Sequence, residues 1–194
     1  MADVEISIAV AGKSPLLMNR FTDAAQIAAT AGTSETIVGD RGTPHEQAEA
    51  ALYVDENGVI GVPQPNLLRS LIDAGKFFKL GKSKVTTQKN TIVTSCVTID
   101  GLWLPLLHTQ PWKVDTRPVR NPATGGRFLR HRPCFDDWRL ELIATLDTSI
   151  MSISMFRDLV DTAGKRIGLG DYRVDCKGPF GKYVVEMWDS INGK

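Results

Sequence analysis

Cysteine is scarce in this chain. Three residues, Cys96, Cys134 and Cys176, are scattered over 194 positions. Their odd number and wide spacing fit neither a disulfide framework nor a Cys-x-x-Cys metal site. Reduced thiols and no bound metal are the expectation. Long apolar runs are also missing. Nothing approaches the roughly 18–20 consecutive apolar residues that cross a bilayer. The first residues, Met1-Ala2-Asp3-Val4-Glu5, put acids where a secretory signal has a basic region. A cytoplasmic protein without membrane contact is expected. There is no repeat at a solenoid period, no Walker loop and no Gly-x-Ser-x-Gly elbow. Gly168-x-Gly170 follows a helix pattern rather than a strand, which excludes a dinucleotide fingerprint. No cofactor is implied.

What remains is an ordinary globular composition, 42% hydrophobic and 23% charged. The length suits one domain over residues 1–194, with insertions at about 19–50 and 107–134. Net charge is only +1, but it is unevenly placed. Residues 1–73 carry 4 Lys/Arg against 10 Asp/Glu. Residues 74–134 carry 11 against 2, and residues 135–194 carry 8 against 10. A central basic block in a near-neutral chain suits a nucleic-acid groove. Acidic and basic segments could also meet between subunits, head to tail.

Val4, Ile6, Ile8 and Val10 alternate with Glu5, Ser7 and Ala9, which predicts a half-buried strand. Gly12 to Pro15 is a turn. Asp23 to Ala31 predicts a short helix, Thr33 to Thr43 a loop and His45 to Ala51 a helical turn. Ala51–Val54 and Val59–Val62 flank Asn57-Gly58, a hairpin signal. Asn66 is placed to cap a helix with Leu67, Leu68, Leu71 and Ile72 on one face. Lys76 to Asn90 reads as a basic linker and Thr91 to Ile99 as a strand, followed by a strand-like Leu102 to Leu106. His108 to Pro133 is rich in Pro, Gly and Arg, and Gly125-Gly126 suggests a thumb-like hairpin within it. Asp137 to Asp147 alternates again. Ser154 caps a helix with Phe156, Leu159, Val160, Ala163 and Ile167 inward, and Tyr183 to Trp188 is the last strand. Without its insertions the order is β-α-β-β-α-β. That is an α+β, ferredoxin-like or RRM-like fold: a four-stranded sheet with helices on one face and the other face free to bind.

Gly61-Val62-Pro63-Gln64-Pro65-Asn66-Leu67-Leu68-Arg69-Ser70-Leu71 opens a helix after a hairpin strand. It resembles the "IPGSSLKGALR"-type helix entry of the RAMP superfamily, the ferredoxin-like RNA-binding proteins of CRISPR systems. Val62, Pro63 and Leu67 match; Gln64, Pro65 and Asn66 depart from the family's Gly and serines. The first strand, running into Ser14-Pro15-Leu16-Leu17-Met18-Asn19, is similar to the family's first strand and loop. Gly168 to Gly181, before the strand at Lys182, fills the place of its C-terminal glycine-rich loop. These motifs cover about thirty residues. The resemblance implies RNA binding, either as an effector-complex backbone subunit that polymerises along a guide RNA or as a nuclease that cuts the precursor.

Four groups of residues are candidates for contact. Gly168, Gly170, Gly178 and Gly181, with Arg173, Lys177 and Lys182, could cradle phosphates; the plain alternative is a helix C-cap and a turn. Lys113, Arg117, Arg120, Arg127, Arg130 and Arg132, interleaved with Trp112, Phe128 and His131, have the chemistry of single-strand binding. Lys76, Lys79, Lys82, Lys84 and Lys89 could track a phosphate backbone or simply solubilise a linker. Asn19 and Arg20 could contact RNA if the resemblance holds. Support for catalysis is thin: His131 as a general base on a 2′-hydroxyl, or Asp23 or Asp40 as a cutting aspartate. Trp103, Trp138 and Trp188 read as core or sheet residues. The expected partner is single-stranded RNA, or DNA. A homo-oligomer or filament, and other CRISPR-type effector subunits, are further expected partners. The competing readings are an endoribonuclease of the same fold and a structural or inhibitory protein whose basic loops dock on an acidic protein.

Overall fold

The computed structural model describes residues 3–21, 26–27, 30–32, 42–120 and 125–191. Its elements run β1 (Asp3–Gly12), β2 (Leu16–Leu17), α1 (Pro44–Ala50), β3 (Gly61–Pro63), α2 (Gln64–Ala74), β4 (Lys79–Leu80) and β5 (Ser83–Lys84). There follow α3 (Val93–Cys96), β6 (Val97–Ile99), β7 (Trp103–Pro105), β8 (Lys113–Arg120), β9 (Arg127–Phe135), β10 (Arg139–Asp147), α4 (Ile153–Thr162) and β11 (Tyr183–Ser190).

The main sheet has the order β11-β1-β10-β6, antiparallel throughout. In chain order those strands are fourth, first, third and second. α2 lies between the first and second, and α4 between the third and fourth. This is the interleaved pair of β-α-β units of a ferredoxin-like fold. Alternation along β1 explains why the sheet has an inner face. Ile6, Ile8 and Val10 stand opposite Ala144, Leu142 and Leu140. All six are buried, together with Leu67 and Leu71 of α2 and Phe156, Leu159 and Val160 of α4. Truncating one of them, as in Leu71→Ala, would cost about 2–5 kcal/mol.

The outer face of the sheet, the side an RRM-like layout leaves free, is rich in carboxylates. The register puts Glu5, Glu141 and Asp189 there. Glu186 stands on the same side, paired with Arg139 at 2.6 Å; Arg139 also holds Glu141 at 2.9 Å. The cation is spent and the face is left acidic, which repels a phosphate chain.

Five local expectations change. α2 starts at Gln64 with Pro63 in the cap position, and Asn66 makes no capping bond; Pro65, with its fixed φ, sits in the first turn, where a missing N–H costs nothing. The Thr91–Ile99 segment divides into α3 and β6, because the Thr91 hydroxyl accepts from the Val93 N–H at 3.2 Å and starts a helical turn. β3 pairs with β7, and the expected 51–62 hairpin survives as a Val54–Ile60 bridge closed by Asp55, which accepts from the N–H groups of Asn57 and Val59. The Lys76–Asn90 linker contains the small hairpin β4–β5. Ser152, not Ser154, caps α4, accepting from the Met155 N–H at 3.2 Å.

The end of α4 shapes the site. Beyond Thr162 the chain widens into a π turn, Ala163–Ile167. Gly164 packs so closely that a Cβ there would lie 2.2 Å from the Tyr183 carbonyl oxygen. The turn ends at Gly168, whose φ of 81° favours glycine and whose N–H donates to the Ala163 carbonyl at 2.8 Å.

Candidate nucleic-acid interface

A pocket of about 240 Å³ opens where α2, the turn after α4 and the loop after β2 converge. α2 contributes Asn66, Arg69 and Ser70, and the turn contributes Gly168, Gly170 and Arg173. Asn19, Tyr53, Leu169 and Asp171 complete it. Ser70 is buried on the inward face of α2 and donates to the Gly168 carbonyl at 3.0 Å. That bond fixes the turn against the helix. Behind it lies Tyr183, fully buried, its hydroxyl without a hydrogen-bond partner among the described residues. Burial raises its pKa strongly, against a weaker lowering by nearby Ser70.

The backbone explains the glycines more by close packing than by open N–H groups. A Cβ at Gly170 would sit 2.4 Å from the Leu17 carbonyl oxygen, and φ there is 76°. The N–H of Gly168 is bonded to Ala163, that of Gly178 to Arg173 and that of Gly181 to Pro15. Donation from these glycines to an anion therefore narrows to Gly170, whose N–H has no partner among the described residues. Lys177 adopts a left-handed conformation at φ 62° to end a short 3-10 turn, and the Lys182 N–H is bonded to Ser14.

The hairpin β8–β9 forms from the arginine-rich stretch and leans over this pocket. Cross-strand pairing puts Asp115, Arg117, Arg130 and Arg132 on one face. Arg132, 6% exposed, donates to Asp171 at 2.6 Å. Arg130 donates to the Asn19 side-chain oxygen at 3.0 Å. The Arg117 guanidinium lies 4.9 Å from the Phe180 ring centre and is held by Asp115 at 2.9 Å. One strand alternation thus brings three arginines, the glycine turn and Asn19 together. His131 faces the other way, bonded to Thr116 at 2.8 Å, on the face that carries Arg120 and Arg127.

Like charges stand directly opposite each other in both small hairpins. Arg117 faces Arg130, Arg120 faces Arg127 and Lys79 faces Lys84. Like charges opposed in this way repel across a ladder, and at Arg117 the Asp115 carboxylate offsets part of that repulsion.

Several predicted residues are used elsewhere. Arg20 donates to the Ala50 carbonyl at 3.4 Å through its side chain, and its N–H donates to the Ala51 carbonyl at 2.9 Å. It therefore closes the C-terminus of α1. Lys113 pairs with Asp136, and Lys76 with Asp175 at 3.2 Å. Lys82 sits in the turn between β4 and β5. Asp23 and Asp40 lie outside the described residues. The thiols are unsuited to nucleophilic work inside the fold: burial pushes Cys134 up to about 11, with Asp136 adding to it, and raises Cys96 as well. Among the described residues no cluster of His, Cys, Asp and Glu could hold a metal, and no helix is long and apolar enough to cross a membrane.

Sequence reasoning overlooked Asn66, Arg69, Ser70, Tyr53 and Asp171. One of them carried a signal: Ser70 is a polar residue set between Leu67 and Leu71 on an apolar stripe.

No protein-family profile and no curated protein sequence matches the chain. Its structure is similar to a chain of a Type III-B Cmr-beta complex, solved by cryo-EM bound to cognate target RNA. The TM-score is 0.60 at 7% identity, over 97% of this chain. The protein spans 60% of that neighbour's length. At this identity the likeness is one of fold, and it agrees with the α+β, ferredoxin-like topology of the main sheet.

Proposed function

We propose that this protein binds single-stranded RNA across the face made by β8–β9, the Gly168–Arg173 turn and the start of α2. On this reading it is a compact RAMP-like subunit that assembles side by side along the strand in the cytoplasm, alone or with other effector subunits. The carrying observation is the opposed pair Arg117–Arg130 on the hairpin face that meets the pocket, which adds Arg173 and Arg69. A polyanion relieves that repulsion and is held by charge-assisted, planar contacts. The likeness in fold to a chain from an RNA-bound complex supports RNA over DNA. The acidic outer sheet face supports binding on this side of the molecule. Binding is favoured over cutting because His131 points away from the arginines that meet the pocket.

Fluorescence anisotropy with a labelled RNA, titrated over a range of salt, tests this. About four phosphate contacts would give a slope of log affinity against log salt near −3. Reversing Arg117, Arg120, Arg127 and Arg130 to Glu should abolish binding while leaving the far-UV spectrum intact. Binding that survives the reversal refutes the proposal.

A further inference from the structure

A second, larger cavity of about 1080 Å³ runs beside α2, walled by the Thr86–Ser95 segment and Lys84 of β5. Arg69 lines both this groove and the pocket at the glycine turn, so the two adjoin at its side chain. Its lining is polar throughout, apart from Ile72. Lys84 and Lys89 face it without an ion-pair partner among the described residues, and Lys84 is also opposed across the strand by Lys79. Gln88, Thr94 and Ser95 are exposed there, and their side chains make no hydrogen bond among the described residues. By contrast, Thr86, Thr87 and Thr91 are committed to bonds that hold the loop: Thr86 to Thr91 at 2.8 Å, and Thr87 to the Asn90 carbonyl at 3.3 Å. The wall is thus stiffened from within and presents unused donors and acceptors beside unpaired ammonium groups.

We propose that this groove takes the continuation of the RNA strand leaving the pocket, with Lys84 and Lys89 on phosphates and Gln88, Thr94 and Ser95 on ribose hydroxyls. The inference rests on the RNA-binding reading and adds to it a second contact region and a basis for preferring RNA. A 2′-hydroxyl both donates and accepts, which matches hydroxyl and amide side chains; deoxyribose leaves those groups unmatched. Lysine, a compact charge on a flexible stem, suits phosphates whose position varies.

The test compares RNA and DNA oligonucleotides of the same sequence, about 6 and about 12 nucleotides long. Three proteins are measured: unaltered, K84E/K89E, and Q88A/T94V/S95A. The K84E/K89E protein should lose at least about tenfold affinity for the longer RNA, keep its affinity for the shorter one, and show a salt slope shallower by about 1.4. The Q88A/T94V/S95A protein should keep its salt slope and lose its preference for RNA over DNA. Unchanged binding of the long RNA by K84E/K89E overturns the groove while leaving the pocket reading intact. An RNA preference untouched by Q88A/T94V/S95A overturns the ribose contacts. An unaltered protein that binds neither oligonucleotide overturns both readings.

Discussion

Arg132 is the charged side chain most deeply placed in the hairpin base, and its removal from Asp171 is the most informative perturbation. The guanidinium side chain is 8% exposed and the carboxylate 30% exposed, at 2.6 Å. At an effective dielectric near 20, charges about 4 Å apart attract by about 4 kcal/mol. Much of that is offset by the cost of taking both groups out of water. Breaking a fully buried pair from one side typically costs about 3–5 kcal/mol, because the remaining charge is stranded. Partial exposure of Asp171 lets water reach the pair, so Asp171→Ala should cost about 2 kcal/mol. Arg132→Met keeps the apolar stem and strands only the more exposed partner, so it should cost less, about 1 kcal/mol. The double variant should cost less than the sum of the two by about 1 kcal/mol or more. Urea unfolding of the four proteins, followed by tryptophan fluorescence, measures each term. The pair also sets the angle between β9 and the glycine turn, so both single variants should weaken RNA binding without changing the salt slope. Additive stabilities within about 0.3 kcal/mol would mean that the two groups do not interact, and the hairpin would then need another anchor.

Tyr183→Phe should leave stability unchanged or raise it by up to about 1 kcal/mol, since the lost hydroxyl has no partner among the described residues; a loss above 1 kcal/mol in urea would show that the hydroxyl is satisfied. Gly170→Ala should destabilise by more than about 2 kcal/mol and lower RNA affinity, because the residue is at positive φ and its new Cβ meets the Leu17 carbonyl; wild-type stability would refute the close approach. At pH 8 a thiol reagent should label exposed Cys176 rapidly, and Cys96 and Cys134 only after unfolding. Cys134 has a folded pKa raised from 9.0 to about 11, so its contribution to stability is complete below pH 9 and is lost as pH rises through 11; Cys134→Ala should flatten stability over that window.

The alternations of Val4–Val10 and Asp137–Asp147 were legible because each strand buries one face against two helices, and burial writes a period of two into the residues. The helix with Phe156, Leu159 and Val160 was legible for the same reason at its own period. The Thr91–Ile99 segment was not, because β-branched residues favour a strand and one hydroxyl bond from Thr91 turns the chain the other way. Of the site, the arginines could be read as a basic stretch, but not as two faces. Which of them meet the glycine turn depends on the register Arg117–Arg130, and that register is fixed by contacts more than a hundred residues apart, such as Arg130 with Asn19. Asp171 could not be read at all, since its role is defined by Arg132.

The sheet and the hairpins divide the molecule electrically. On the outer sheet face Glu141 and Glu186 share Arg139. On the hairpin side Arg117 faces Arg130, Arg120 faces Arg127 and Lys79 faces Lys84, with Asp115 holding Arg117. A folded chain gains nothing by placing like charges opposite each other, and an anion laid across them would offset that repulsion. The net charge of +1 conceals this uneven placement, because exposed charges act over only roughly 8–10 Å at ordinary salt. On the proposed reading, screening keeps the acidic outer face from weakening a phosphate chain bound at the β8–β9 hairpin.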